Sequence, residues 1–282
     1  MIESTKIKLI LILLAMAFSG CNLQNSLLYY PDSSVPSDQE LAANNIQFWP
    51  SGPIDYRGFI GTAHRGQISN LSPIMKGTVI VFHGNAGTAA DRVDYATALG
   101  LLGYRVILAE YPGYGVREGR LGEVPFVNDA QVTVRLASEK YGGPIFLLGE
   151  SMGCGVAAGV AKNRSLKIDG IILVTPWDSL LSVAKSKFPL FPVRLFMKDK
   201  YDNIENLKCF QGRIAVVGAE RDEIIPIRHA HELYQSLPGN KKMWVIKGAG
   251  HNDWLLFVDA TKWREFMDFV RENDNNTELH SK

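Results

Sequence analysis

The chain has 282 residues, 46% of them apolar, enough side chains to bury one substantial core and too many for a disordered or fibrous protein. Its 30 Lys and Arg against 29 Asp and Glu give a net charge of +1, without the basic excess that nucleic-acid binders use to displace counterions. Three cysteines, Cys21, Cys154 and Cys209, are too few for a disulfide framework and lack the paired spacing of a zinc site, so neither staples nor a structural metal is expected.

Lys6 and Lys8 precede an unbroken apolar run, 9–18, followed by Ser19, Gly20 and Cys21. A bilayer-spanning helix needs roughly 20 apolar residues, so the run reads as the core of a secretion signal over residues 1–20. The Phe18-Ser19-Gly20-Cys21 junction resembles the lipobox of bacterial lipoproteins, in which the cysteine is lipidated and becomes the mature N-terminus; the alternative is an ordinary cleaved leader that happens to hold a cysteine. Removing residues 1–20 takes away Lys6, Lys8 and Glu3 and leaves a formally neutral chain. Acyl chains, rather than a polybasic tail, are then expected to hold an exported protein on a cell-envelope membrane.

Residues 21–53, rich in Asn, Ser, Pro and Asp, read as a tether merging into peripheral structure. From 54 onward, short β-branched runs alternate with helix-length segments. Strands are expected at 54–61, 78–82, 105–109, 145–148, 170–174, 213–217 and 243–247. Helices are expected at 88–102, 124–141, 153–162, 227–237 and 252–272. Such alternation implies an α/β fold, a mostly parallel sheet with helices on both faces and its function at the carboxyl ends of the strands, over residues 54–273. The span 176–207 breaks the rhythm and reads as a lid or cap, or else as a packed structural insertion. Residues 274–282 read as a polar tail.

Gly149-Glu150-Ser151-Met152-Gly153 matches G-x-S-x-G, between an expected strand and a small-residue helix. In that setting a serine is held on a tight, strained turn with its hydroxyl above the sheet, and the helix N-terminus favours developing negative charge. A serine hydroxyl needs a base, itself oriented by a carboxylate. His251, in a Gly-rich turn after the last strand, suits the base, and Asp222, just beyond the preceding strand, suits the acid. Asp178 and Asp253 compete for the acid's role. His64, His229, His231 and His280 lack strand-end context and read as solvated or structural. In His83-Gly84-Asn85-Ala86-Gly87 the glycines free backbone N–H groups. The amides of Asn85 and Met152 are the expected donors to an oxyanion, while His83 itself is expected to brace the loop.

With Tyr111-Pro112-Gly113-Tyr114-Gly115, Tyr201-Asp202-Asn203 and Asp222-Glu223-Ile224-Ile225-Pro226 added to these motifs, the chain from about Ile54 to Phe269 resembles the α/β-hydrolase-fold serine hydrolases. Its likeness is to the branch containing bacterial membrane-associated esterases and depalmitoylating thioesterases. Pro112, where that branch commonly has Arg, and Cys154, where a small residue follows the motif, are departures. The resemblance implies a monomer without cofactor or metal, with Ser151, Asp222 and His251 as catalytic residues.

The leading expectation is a lipid-anchored hydrolase of carboxylic esters or thioesters of uncharged acyl groups, working through an acyl-enzyme on a small-molecule substrate. Phe188, Leu190, Phe191, Val193, Leu195 and Phe196 in the insertion offer aliphatic-binding surface, read here as free of any Arg or Lys cluster that would clamp a phosphate. The alternatives are a serine peptidase on the same fold and a non-catalytic envelope lipoprotein.

Overall fold

A computed structural model describes residues 24–61 and 75–272; Cys21, His64 and His280 lie outside them. Eight strands form one sheet: β1 (Ile46–Trp49), β2 (Gly58–Gly61), β3 (Thr78–Phe82), β4 (Arg105–Ala109), β5 (Ile145–Glu150), β6 (Gly170–Val174), β7 (Arg213–Ala219) and β8 (Lys241–Ile246). Their spatial order is β1-β2-β4-β3-β5-β6-β7-β8. The first two are antiparallel to their neighbours and the other pairings are parallel.

Every residue of β3 and of β6 is buried, and their side chains alternate between two cores. Ile80, Phe82, Ile171 and Leu173 enter one, and Val79, Val81, Ile172 and Val174 the other. A strand covered on both faces has no polar side to show, which is why these segments read as unbroken apolar runs. Helices α2 (Val93–Leu101) and α8 (Ala260–Arg271) close one face; α3 (Glu123–Tyr141), α4 (Met152–Ala161), α6 (Asn203–Leu207) and α7 (Arg228–Ser236) close the other. Helices α1 (Asp38–Ala43) and α5 (Leu180–Lys187) stand at the periphery.

The sheet starts earlier than the sequence reading placed it. β1 falls inside the segment read as peripheral tether, because four residues beside a run of Asn show no alternation long enough to register. Trp49 is buried there, and its indole N–H donates to the Tyr141 hydroxyl at 3.0 Å. Ile54, read as a strand start, is exposed. The expected helix at 252–272 divides into a 3₁₀ turn, Trp254–Phe257, and α8, which opens at Asp259, whose side chain accepts from the Lys262 N–H. The span 176–207 holds α5, a 3₁₀ turn at Val193–Leu195, and α6.

The chain before the sheet forms a strap. Gln24 accepts from the Lys198 and Asp199 amides and donates to the Asp199 carbonyl. Tyr29 donates to Asp199 Oδ2 at 2.7 Å; burial, then the Asp199 charge, pushes its phenol well above the ordinary tyrosine range. Tyr30 and Pro31 pair with Ala86 and Gly87.

Candidate active site

β5 ends in a turn so tight that its glycines have no room for a side chain: a Cβ on Gly153 would run into the Phe82 carbonyl oxygen, and one on Gly149 would lie 2.5 Å from the Gly153 oxygen. Ser151 sits between them at φ 52° and ψ −114°, a region costing a non-glycine residue about 1–3 kcal/mol and sustained only by its surroundings. It caps α4, so the Met152 amide begins the helix and has no intrahelical acceptor.

The hydroxyl meets the imidazole predicted for it. Ser151 Oγ lies 3.0 Å from His251 Nε2, and His251 Nδ1 lies 2.8 Å from Asp222 Oδ2. All three side chains are buried. Asp222 is fixed by its own loop, its Oδ1 accepting from the Ile224 and Ile225 amides at 3.0 and 2.6 Å. That leaves Oδ2 for Nδ1–H, which puts the lone pair of Nε2 toward the serine proton. An array so ordered can withdraw a proton from the hydroxyl as it attacks an electrophile.

Asn85 stands on the loop after β3. Its carbonyl accepts from the Tyr30 amide at 2.9 Å and the Tyr114 hydroxyl at 2.7 Å, and its side-chain amide donates to the Leu28 carbonyl at 2.8 Å. His83 is buried below the loop, with Nε2 3.0 Å from Glu110 Oε1 and Nδ1 2.8 Å from the Gly84 carbonyl. Glu110 also accepts from the Ala89 amide, so His83 and Glu110 together brace this turn.

The competing acids are engaged elsewhere. Asp178 Oδ1 lies 2.7 Å from Nδ1 of His229, both buried, and the pair ties the start of the insertion to α7. Asp253 accepts from the Gly250 amide. Two supports around the site have no sequence signature. Glu150 holds the Arg92 guanidinium and the Tyr95 hydroxyl, 58 and 55 residues away. Glu223 accepts from the His251 amide at 3.3 Å, and its carboxyl is held below the usual range by its own amide and then by that of His251. Glu150, Arg92, Tyr95 and Asp94 line a cavity of about 220 Å³ with His251, Asn252 and Trp254; its wall is mainly polar.

The insertion departs from expectation. Leu190 is 100% and Leu195 79% exposed, and Phe188 and Phe191 are exposed too; only Val193 is buried. The four exposed side chains face outward and do not wall a closed acyl pocket, while Phe196 is half-buried against Phe191. Basic residues are also present, with Lys185, Lys187, Arg194, Lys198 and Lys200 all exposed. The run of Phe, Leu and Pro reads as pocket-lining only if its flanking lysines are overlooked. Among the described residues, no group of three or more His, Cys, Asp or Glu could hold a metal ion, and no helix is long and apolar enough to cross a membrane.

The sheet order, with the strained serine turn after β5, defines an α/β-hydrolase fold. Residues 73–185 match the family described as serine aminopeptidase, S33 (Hydrolase_4). An uncharacterized protein of Mycobacterium tuberculosis is 33% identical over 178 residues, covering 62% of this chain and 63% of that one. The lysophosphatidylserine lipase ABHD12 of Danio rerio is 26% identical over 221 residues, covering 68% of this chain and 58% of the relative. The chain thus spans less than two thirds of either relative. The esterase Pf2001 of Pyrococcus furiosus shares the fold with a TM-score of 0.61 at 17% identity, over 87% of this chain and 99% of that one.

Proposed function

We propose that the protein is a serine hydrolase that cleaves carboxylic esters or thioesters of uncharged acyl groups through an acyl-enzyme. The observation that carries this reading is the continuous hydrogen-bonded line from Ser151 Oγ through His251 to Asp222. In the forward step Ser151 Oγ bonds to the carbonyl carbon while its proton passes to His251 Nε2, and Asp222 stabilises the imidazolium. The carbonyl electron pair moves onto oxygen, where the Met152 and Asn85 amides receive it; each such donor contributes roughly 3–4 kcal/mol. Collapse breaks the bond to the leaving alkoxide or thiolate, which takes the proton from His251. Water then repeats the sequence on the acyl-Ser151 ester and releases the acid.

His251 protonates the leaving group, so the mainly polar cavity beside it supports an alcohol or thiol with a polar body. A relative named for a lysophospholipid supports acyl substrates. The family's aminopeptidase description favours peptide cleavage as a second reading. We further propose that the protein is exported, anchored in a bacterial cell envelope by lipid on Cys21, and works as a monomer without cofactor.

A fluorophosphonate probe tests the enzyme reading: Ser151 is expected to be labelled, and undiminished labelling of Ser151→Ala would sink it. Among matched substrates, esters are expected to turn over faster than amides, and the reverse order would transfer the assignment to a peptidase.

A further inference from the structure

The exposed stretch 188–195 is unusual for a water-soluble surface. It projects Phe188, Leu190, Phe191 and Leu195 from a turn bounded by Pro189 and Pro192, with Phe191 stacked on Phe196 at 5.1 Å. Buried Val193 roots the tip in the domain. Exposed Lys185, Lys187, Arg194, Lys198 and Lys200 surround it. The single acid from residue 185 to 200 is Asp199, buried and occupied by Tyr29 and the Glu123 amide. The acids nearby include Glu123, which accepts from the Lys200 amide, Asp202, half-buried and accepting from the Glu205 amide, and Glu223, whose carbonyl accepts from Lys187.

Two placements give this tip its occupant. Gln24, where the described chain begins, is bonded to residues 198 and 199, so the N-terminal segment joins the domain beside the tip; Leu27 and Tyr30 next to it are exposed. Gln24 lies three positions after Cys21 in sequence, a reach of at most about 11 Å. At its other end, the tip leaves α5 where Lys187 donates to the carbonyl of Glu223, the neighbour of Asp222.

We propose that residues 185–200 form a bilayer-docking surface, with Phe188, Leu190, Phe191 and Leu195 entering the interface and the five cations meeting anionic headgroups. An apolar wedge of this kind inserts about 5–10 Å, to the level of the acyl boundary, and each cation near an anionic leaflet adds about 1 kcal/mol, roughly fivefold. The docked orientation sets the Ser151 site beside the lipid surface; that last clause rests on the hydrolase reading, while the docking itself does not.

The test uses the full chain on phosphatidylcholine vesicles with brominated acyl chains, with and without phosphatidylglycerol. A tryptophan introduced by Leu190→Trp, and separately by Phe191→Trp, is expected to shift to the blue and be quenched by the bromolipid, more so with phosphatidylglycerol. Leu101→Trp, exposed at the end of α2 by the amino end of β4, serves as the control and is expected to stay unquenched. Failure to float with the vesicles, or quenching at 190 and 191 no greater than at 101, overturns the proposal. Quenching indifferent to phosphatidylglycerol overturns the role of the basic rim. Fluorophosphonate labelling of the same samples reports separately on Ser151.

Discussion

Replacing Ser151 by Ala removes the attacking oxygen from a turn whose shape depends on Gly149 and Gly153, so loss of ester hydrolysis is expected with an unchanged circular dichroism spectrum and melting temperature. Asp222→Asn is expected to lower turnover by orders of magnitude, on the order of 10⁴-fold as in the best-studied serine protease, because the amide favours the wrong imidazole tautomer. Asp178→Asn is the informative contrast. Its partner is His229 on α7, so it is expected to cost stability, about 1–3 kcal/mol for a buried hydrogen bond left poorly matched, with turnover per folded molecule nearly intact. A denaturant melt and a rate on the same sample separate the two effects; a greater loss of rate in Asp178→Asn than in Asp222→Asn would reassign the acid. The thiols divide in the same way. Burial pushes the Cys154 thiol well above its ordinary range, and it points at the Gly149 and Val174 carbonyls, whereas Cys209 is exposed. Iodoacetamide is expected to modify Cys209 in the native protein and Cys154 only after unfolding, as peptide mapping would reveal.

Among the elements, those buried on both faces were the easiest to read. β3, β4 and β6 match their expected spans residue for residue because a mainly apolar run rich in Val and Ile permits little else, and the serine turn announced itself through glycines that sterics demand. Ser151, His251 and Asp222 were likewise legible, each standing just beyond a strand. β1 was not, since its partner β2 lies across a loop and only pairing reveals it. Nor were the contacts of Arg92 and Tyr95 with Glu150, which depend on loops brought together over more than fifty residues. The insertion was misjudged for a physical reason: apolar composition says that a segment seeks a nonaqueous partner, without saying whether that partner is the protein's own interior. The Tyr114 hydroxyl offers a test at this scale, because it fixes the Asn85 carbonyl. Tyr114→Phe is expected to reduce kcat by roughly tenfold, about 1.4 kcal/mol of lost oxyanion positioning, with little change in KM.

For the molecule as a whole, a net charge of only +1 conceals an uneven surface, with five exposed cations between residues 185 and 200. Salt screens exposed charges over about 10 Å at 0.1 M, so hydrolysis of vesicle-borne acyl esters is expected to fall with ionic strength while hydrolysis of a dissolved short-chain ester does not. Parallel salt titrations of the two substrates would check this.

The strap carries a consequence for how far the chain can be shortened from its N-terminal side. Between Gln24 and Pro31 the same few residues grip Asp199 at one end and, through Leu28 and Tyr30, hold Asn85 at the other. The strap is therefore also a splint. Trimming it past Asp32 would remove the amide of Tyr30 and the carbonyl of Leu28 from the turn that holds Asn85. From Gln24 onward the chain therefore cannot change without bearing on the turn that holds Asn85.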